Sequence, residues 1–147
     1  MKSAGMIRLV LDSRLENVVL VGGAIRGIAD TLSMDGTTRY LLELCVVEAV
    51  NNAIKHAYHT EAGHLVEVEI RCDPDRLTFK ICDTGESLIP AAVAPFCFNP
   101  LNVEALPERG MGIFILNNVM DEVRYETISG RNILTLVKYL KPPETHA

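Results

Sequence analysis

Hydrophobic and polar positions along this chain fall into blocks whose period changes, and the changes mark its elements. Met6–Leu11 (MIRLVL) reads as a first strand. Asp12 and Ser13 are placed to cap a helix over Leu15–Met34, with apolar positions at Val18, Val19, Ala24, Ile25 and Ile28. Gly22, Gly23 and Gly27 weaken that helix by about 1 kcal/mol each relative to alanine. Met34-Asp35-Gly36 is a stop signal, and Thr37 or Thr38 can cap a second helix, Arg39–Tyr58. Leu65–Cys72 (LVEVEIRC) and Arg76–Asp83 (RLTFKICD) then alternate apolar with polar around the turn Asp73-Pro74-Asp75, which predicts a hairpin. The pattern fails over Thr84–Arg109, which holds Pro90, Pro95, Pro100 and Pro107; an irregular stretch of this length inside a compact domain is usually functional. Gly110–Met120 predicts a third helix. Asp121–Thr127 and Asn132–Leu140 predict a closing hairpin around Ser129-Gly130, and Lys141–Ala147 is a tail.

Strand, helix, helix, two strands, loop, helix, two strands is an order dominated by hairpins. It predicts a single α/β (α+β) domain over residues 1–140. The domain is a two-layer sandwich with a mixed, mostly antiparallel sheet and three helices on one face. The βαβ alternation of a doubly wound fold is absent.

The second helix breaks the rule that a helix apolar nearly all round carries no polar stripe. RYLLELCVVEAVNNAIKHAY is interrupted at Glu48, Asn51, Asn52 and Lys55. At about 100° per residue, Asn52 lies about 40° from Glu48, Lys55 about 20° to the other side and Asn51 about 60° off. His56 faces about 80° away and reads as a packing residue. Burying a carboxylate, an amide and an ammonium without partners costs several kcal/mol, so something polar belongs against this stripe. A phosphate-rich ligand with a metal ion fits: an amide oxygen suits Mg²⁺, a glutamate can deprotonate an attacking group, and a lysine meets phosphate as a point charge.

Composition narrows the classes. A chain of 147 residues suits one domain with a real core, and a net charge of −5 argues against nucleic acid. No apolar run approaches a membrane span, and MKSAGMIRLVLDSR has no secretory h-region. Cys45, Cys72, Cys82 and Cys97 form no CxxC pair and read as reduced thiols of a cytoplasmic protein. His59 and His64 sit near a turn and read as surface residues.

Two further segments carry chemistry. Asp83-Thr84-Gly85 ends a strand: the carboxylate can accept a hydrogen bond from an exocyclic amine such as that of adenine, and the glycine lets ligand or backbone approach closely. Arg109-Gly110-Met111-Gly112 opens the third helix, where exposed N–H groups, the helix dipole and a guanidinium suit phosphate. Each triplet is weak alone, since a strand-ending turn and a closely packed helix start also explain them.

Their order is informative. E-x-x-x-N on a helix, a strand ending in D-x-G, a proline-rich loop and R-G-x-G opening a helix together resemble the GHKL (Bergerat-fold) ATP-binding superfamily, over about Leu41–Leu140. EAVNNAIKHAY and RGMGIFILNNVMDEVRY look like the anti-sigma-factor serine kinases of the RsbW and SpoIIAB type. The resemblance implies ATP and Mg²⁺ as cofactors, with Asn52 on the metal and Glu48 as base for a protein serine. It puts Asp83 on the adenine amine beside Gly85, Arg109, Gly110 and Gly112 at the phosphates, and an ATP lid over 84–109. Lys55 remains the further phosphate contact. Ser87 stands where the superfamily commonly has another glycine. Implied partners are a STAS-type anti-anti-sigma factor as substrate, a sigma factor and a second copy of the chain, with no nucleic acid and no membrane. The alternatives are a binding module switched by nucleotide without kinase activity and the ATPase fragment of a larger machine; the lack of a second domain argues against the latter. The apolar run Ala91–Phe98 is either a partner patch or a segment folded over the nucleotide.

Overall fold

A computed structural model describes residues 5–87 and 116–140. Five strands form one antiparallel sheet in the order β1-β2-β3-β5-β4: β1 Gly5–Asp12, β2 Leu65–Cys72, β3 Arg76–Asp83, β4 Glu122–Ile128 and β5 Arg131–Tyr139. The period-two alternation places Val66, Val68, Ile70, Leu77, Phe79 and Ile81 on one face, where all are buried. Helices α1 (Val18–Asp30) and α2 (Gly36–Asn52) cover that face with Val21, Ile25, Leu42, Cys45, Val46, Ala49 and Val50. Burial pushes the Cys45 thiol up to about 12, so it is a packing group. Residues 116–119 are also helical, and Leu116 joins the core. This is the expected two-layer sandwich, with every strand pairing antiparallel where a mixed sheet was allowed. The β4–β5 connection has both Ser129 (φ 51°) and Gly130 (φ 78°) left-handed, the geometry of a tight type I′ hairpin.

The helices depart from expectation at their ends. Asp12 and Ser13 do not cap α1. Asp12 accepts from the Gly63 N–H (2.8 Å) and the Ser13 hydroxyl accepts from the His64 N–H (3.1 Å), so both tie β1 to the loop before β2. A short 3₁₀ turn, Leu15–Asn17, precedes α1, which ends at Asp30, four residues before Met34. Gly22 lets α1 lie close on α2: an added Cβ would sit 3.3 Å from Glu43 and from Val47. The cap of α2 is Asp35, not Thr37 or Thr38; its carboxylate accepts from the Thr38 N–H at 2.8 Å. That bond holds the Asp35 carboxyl below its ordinary value, so the cap stabilises the fold above about pH 4 and fades as pH falls through the lowered value. Asp35→Ala is expected to lower Tm by about 3 °C at pH 7, and by less in acid, in a thermal melt.

The helix expected over Arg39–Tyr58 is α-helical only to Asn52. Ala53–Ala57 is a π-helical turn, closed by the Tyr58 N–H reaching Ala53 O at 3.1 Å. His59 (φ 52°) and Thr60 (φ 62°) then turn left-handed, and the Thr60 N–H returns to Ile54 O at 2.8 Å, satisfying a helix-end carbonyl. A β-branched residue in this region is strained, and the ties from Asp12 and Ser13 hold it there.

Candidate functional site

The polar stripe survives folding without acquiring partners among the described residues. Asn52, the last residue of α2, is 8% exposed, and Glu48, one turn earlier, is half-buried. Neither makes a hydrogen bond or ion pair with a described residue, and the same holds for Lys55, which is exposed. The 100° arithmetic applies from Glu48 to Asn52. It does not carry to Lys55, because the π turn advances less per residue. This π turn closes the C-terminal end of α2.

The π turn meets the end of β3 through backbone contact. The Glu86 N–H donates to Ala57 O at 2.9 Å, and a Cβ added to Gly85 would lie 2.3 Å from that oxygen. Of the two reasons for a glycine here, close approach of backbone is the one the structure realises. Tyr58, 4% exposed, fastens the same corner. Its hydroxyl donates to Leu65 O (2.7 Å) and accepts from the Thr84 N–H (2.8 Å), while His64 stacks on its ring at 4.6 Å. His59 and Glu86 meet at 2.8 Å on the surface above.

Asp83 is 6% exposed and belongs to the helix-facing register of β3, opposite Asn132. Its Oδ1 accepts from the Gly85 N–H (3.0 Å) and from Asn132 Nδ2 (2.7 Å); Oδ2 accepts nothing from a described residue. Burial pushes the carboxyl above its ordinary value, and the two hydrogen bonds oppose that shift. A raised folded value means the native state holds the proton more tightly than the unfolded chain, so this contribution is lost as pH rises through the folded value. Asp83→Asn, which keeps an acceptor for Gly85 and Asn132, is therefore expected to gain stability relative to the parent as pH rises from about 3 to 7. Chemical denaturation at several pH values measures it.

Tyr58, Thr127 and Asn132 were not among the residues singled out from sequence. Asn132 is 1% exposed and also donates to Gly85 O at 2.9 Å, while Thr127 Oγ1 donates to its Oδ1 at 2.8 Å. Ser87 lies 3.3 Å from Thr127, so the position that commonly holds glycine is tethered to β4 by a hydroxyl. Arg109, Gly110, Gly112, the Ala91–Phe98 run and nearly all of the 84–109 lid lie outside the described residues. A groove of about 290 Å³ lined by Val10, His64, Leu65, Glu67, Cys82, Asp83, Thr84 and Arg131 lies largely on the sheet face away from the helices and reaches the strand end at Asp83 and Thr84. Among the described residues no three His, Cys, Asp or Glu side chains converge as a metal cage, and Cys45, Cys72 and Cys82 are free thiols.

A Glu–Asn stripe without partners among the described residues runs into a π turn that packs against the strand end carrying a buried aspartate. Residues 11–138 match the histidine kinase-like ATPase domain. The chain belongs to that family. It is similar to the serine-protein kinase RsbW of Bacillus mycoides (strain KBAB4), with 26% identity over 139 residues covering 92% of this chain and 85% of that protein. RsbW of Bacillus cereus (strain ATCC 10987 / NRS 248) matches with the same identity and coverage. The fold is also that of a chain in the crystal structure of the SiaB–SiaC complex from Pseudomonas aeruginosa. The TM-score is 0.56 at 13% identity, covering 90% of this chain and 89% of that one. No helix among the described residues is long and apolar enough to cross a membrane.

Proposed function

We propose that this histidine kinase-like ATPase domain is an ATP-dependent protein serine kinase and anti-sigma factor. It phosphorylates a serine of a STAS-type anti-anti-sigma factor and sequesters a sigma factor by partner switching. It works in the cytoplasm as a homodimer. The observation that carries the reading is that Glu48 and Asn52, on one face of α2, are half-buried and buried and lack hydrogen-bond or ion-pair partners among the described residues. The likeness to RsbW over 92% of the chain supports the choice of acceptor.

The donor set fits the cofactors. Asn52 would offer a hard amide oxygen to Mg²⁺, which would neutralise phosphate charge. Lys55, Arg109, Gly110 and Gly112 are the phosphate contacts. Asp83 Oδ2 is the acceptor for the adenine amine, and Gly85 sets the turn that aims it. Glu48 takes the proton of the serine hydroxyl as its oxygen bonds to the terminal phosphorus. The bond from that phosphorus to the bridging oxygen breaks, and ADP departs. Metal-bound ATP supplies an activated phosphoryl group with its charge neutralised.

Calorimetric titration of ADP and ATP with Mg²⁺ tests the nucleotide half, and radiolabelled phosphate transfer to a purified STAS partner tests the kinase half. Asp83→Asn is expected to weaken ADP binding about 10- to 100-fold, the range for a hydrogen bond to a charged group. Absence of any nucleotide binding by the parent protein would refute the reading. Binding with no transfer would leave a nucleotide-switched partner binder.

A further inference from the structure

We propose that Asn132, held by Thr127, is the positioning residue that fixes which purine the site accepts, by making Asp83 present a single free acceptor oxygen. This rests on the reading that Asp83 receives the base. Both amide protons of Asn132 are committed, Nδ2 donating to Asp83 Oδ1 (2.7 Å) and to Gly85 O (2.9 Å), and Oδ1 accepts from Thr127 (2.8 Å). A reversed amide would set its carbonyl oxygen against both the Asp83 carboxylate and the Gly85 carbonyl, so the orientation follows from its partners. Thr127 has one hydroxyl proton and gives it to Asn132, so Ser87 is the donor in the 3.3 Å contact between the two hydroxyls. Donors therefore run one way, from Ser87 to Thr127 to Asn132 to Asp83, and neighbours in such a chain polarise one another.

This chain has a consequence for base choice. With Oδ1 saturated by Asn132 and the Gly85 N–H, rotation of the carboxylate would break two hydrogen bonds. Oδ2 is left as a fixed acceptor. It pairs with a 6-amino group, a donor, and meets a 6-oxo group, an acceptor, without a hydrogen bond. Asn132 is buried under the β3–β5 register and reaches the base only through Asp83.

The test compares affinities for ADP and for inosine diphosphate, which differ at the 6-position in the way Asp83 would read. The parent protein is expected to prefer ADP at least about tenfold. Asn132→Asp keeps the shape but sets a second carboxyl against Asp83, and two such groups share a proton. The carboxylate then loses the donor that fixed its orientation, either oxygen can carry the shared proton or face the base, and the preference for ADP is expected to fall to about threefold or less. Thr127→Val, at an exposed position, removes one of the three hydrogen bonds that hold the amide and loosens its hold on Asp83; it is expected to lower the preference about threefold. A purely structural role would weaken both nucleotides equally and leave their ratio unchanged, and that result in Thr127→Val overturns the inference even if Asn132→Asp does not fold. If the parent protein binds neither nucleotide, the functional reading falls as well; binding with an unchanged ratio sinks the Asn132 assignment alone.

Discussion

Glu48→Gln is expected to lower phosphoryl transfer to the protein acceptor by about 10²- to 10⁴-fold, the usual contribution of a positioned general base. Affinity for ADP should stay within about twofold, because the amide keeps the size and polarity of the carboxylate and removes only its basicity. Folding should be unaffected. Glu48 is half-buried and makes no hydrogen bond or ion pair with a described residue, so the substitution orphans no protein group. The pairing of lost transfer with retained binding is the informative result. A variant that binds and transfers like the parent would remove the base role from Glu48 and leave the proton to another group. A variant that also loses ADP would show that the carboxylate acts on the nucleotide and its metal.

The elements readable from sequence were those whose local pattern and tertiary role agree. LVEVEIRC and RLTFKICD alternate through Val66–Arg71 and Leu77–Ile81, and β2 and β3 have the bounds read from the sequence. Ser129-Gly130 supports the left-handed pair its hairpin needs. The misses are tertiary. Asp12 and Ser13 have the chemistry of a helix cap, yet they bond to residues about fifty positions away, and no local signal separates the two uses. The π turn is likewise silent in AIKHA, since its register depends on Tyr58 being anchored to Leu65 and Thr84.

The site divides along the same line. Glu48 and Asn52 were legible because a polar stripe on an apolar helix violates a solvation rule that holds for any fold. Asp83 was legible from motif order. Asn132 was not: a polar residue at the head of an apolar strand is ordinary until β5 is laid against β3 and places it opposite Asp83, 49 residues earlier. A weak signal existed in the polarity of both positions on a face otherwise filled by Leu77, Phe79, Ile81, Leu134 and Leu136.

Gly85→Ala is the second large effect. The added Cβ would lie 2.3 Å from Ala57 O, 2.7 Å from Ala57 C and 2.9 Å from a Tyr58 ring carbon. The first two are backbone atoms of the π turn, which cannot swing aside as a flexible side chain would. Either the turn after β3 lifts away, or the helix end retreats. Lifting the turn stretches the Glu86 N–H bond to Ala57 O and the bonds that Gly85 makes to Asp83 and Asn132. A retreating helix end strains the left-handed pair His59–Thr60 and the Tyr58 anchor. Overpacking of this kind costs about 3 kcal/mol, corresponding to about 10 °C in Tm for a domain of this size. Since Gly85 also holds Asp83 Oδ1, ADP affinity is expected to fall about tenfold in whatever fraction remains folded. A thermal melt of the variant with and without saturating ADP reads both numbers. Melting within about 2 °C of the parent would show that the corner between the π turn and β3 is looser than these distances require. A normal ADP-induced rise in Tm on a lowered baseline would instead separate the packing role of Gly85 from the aim of Asp83, leaving Asn132 as the group that orients the carboxylate.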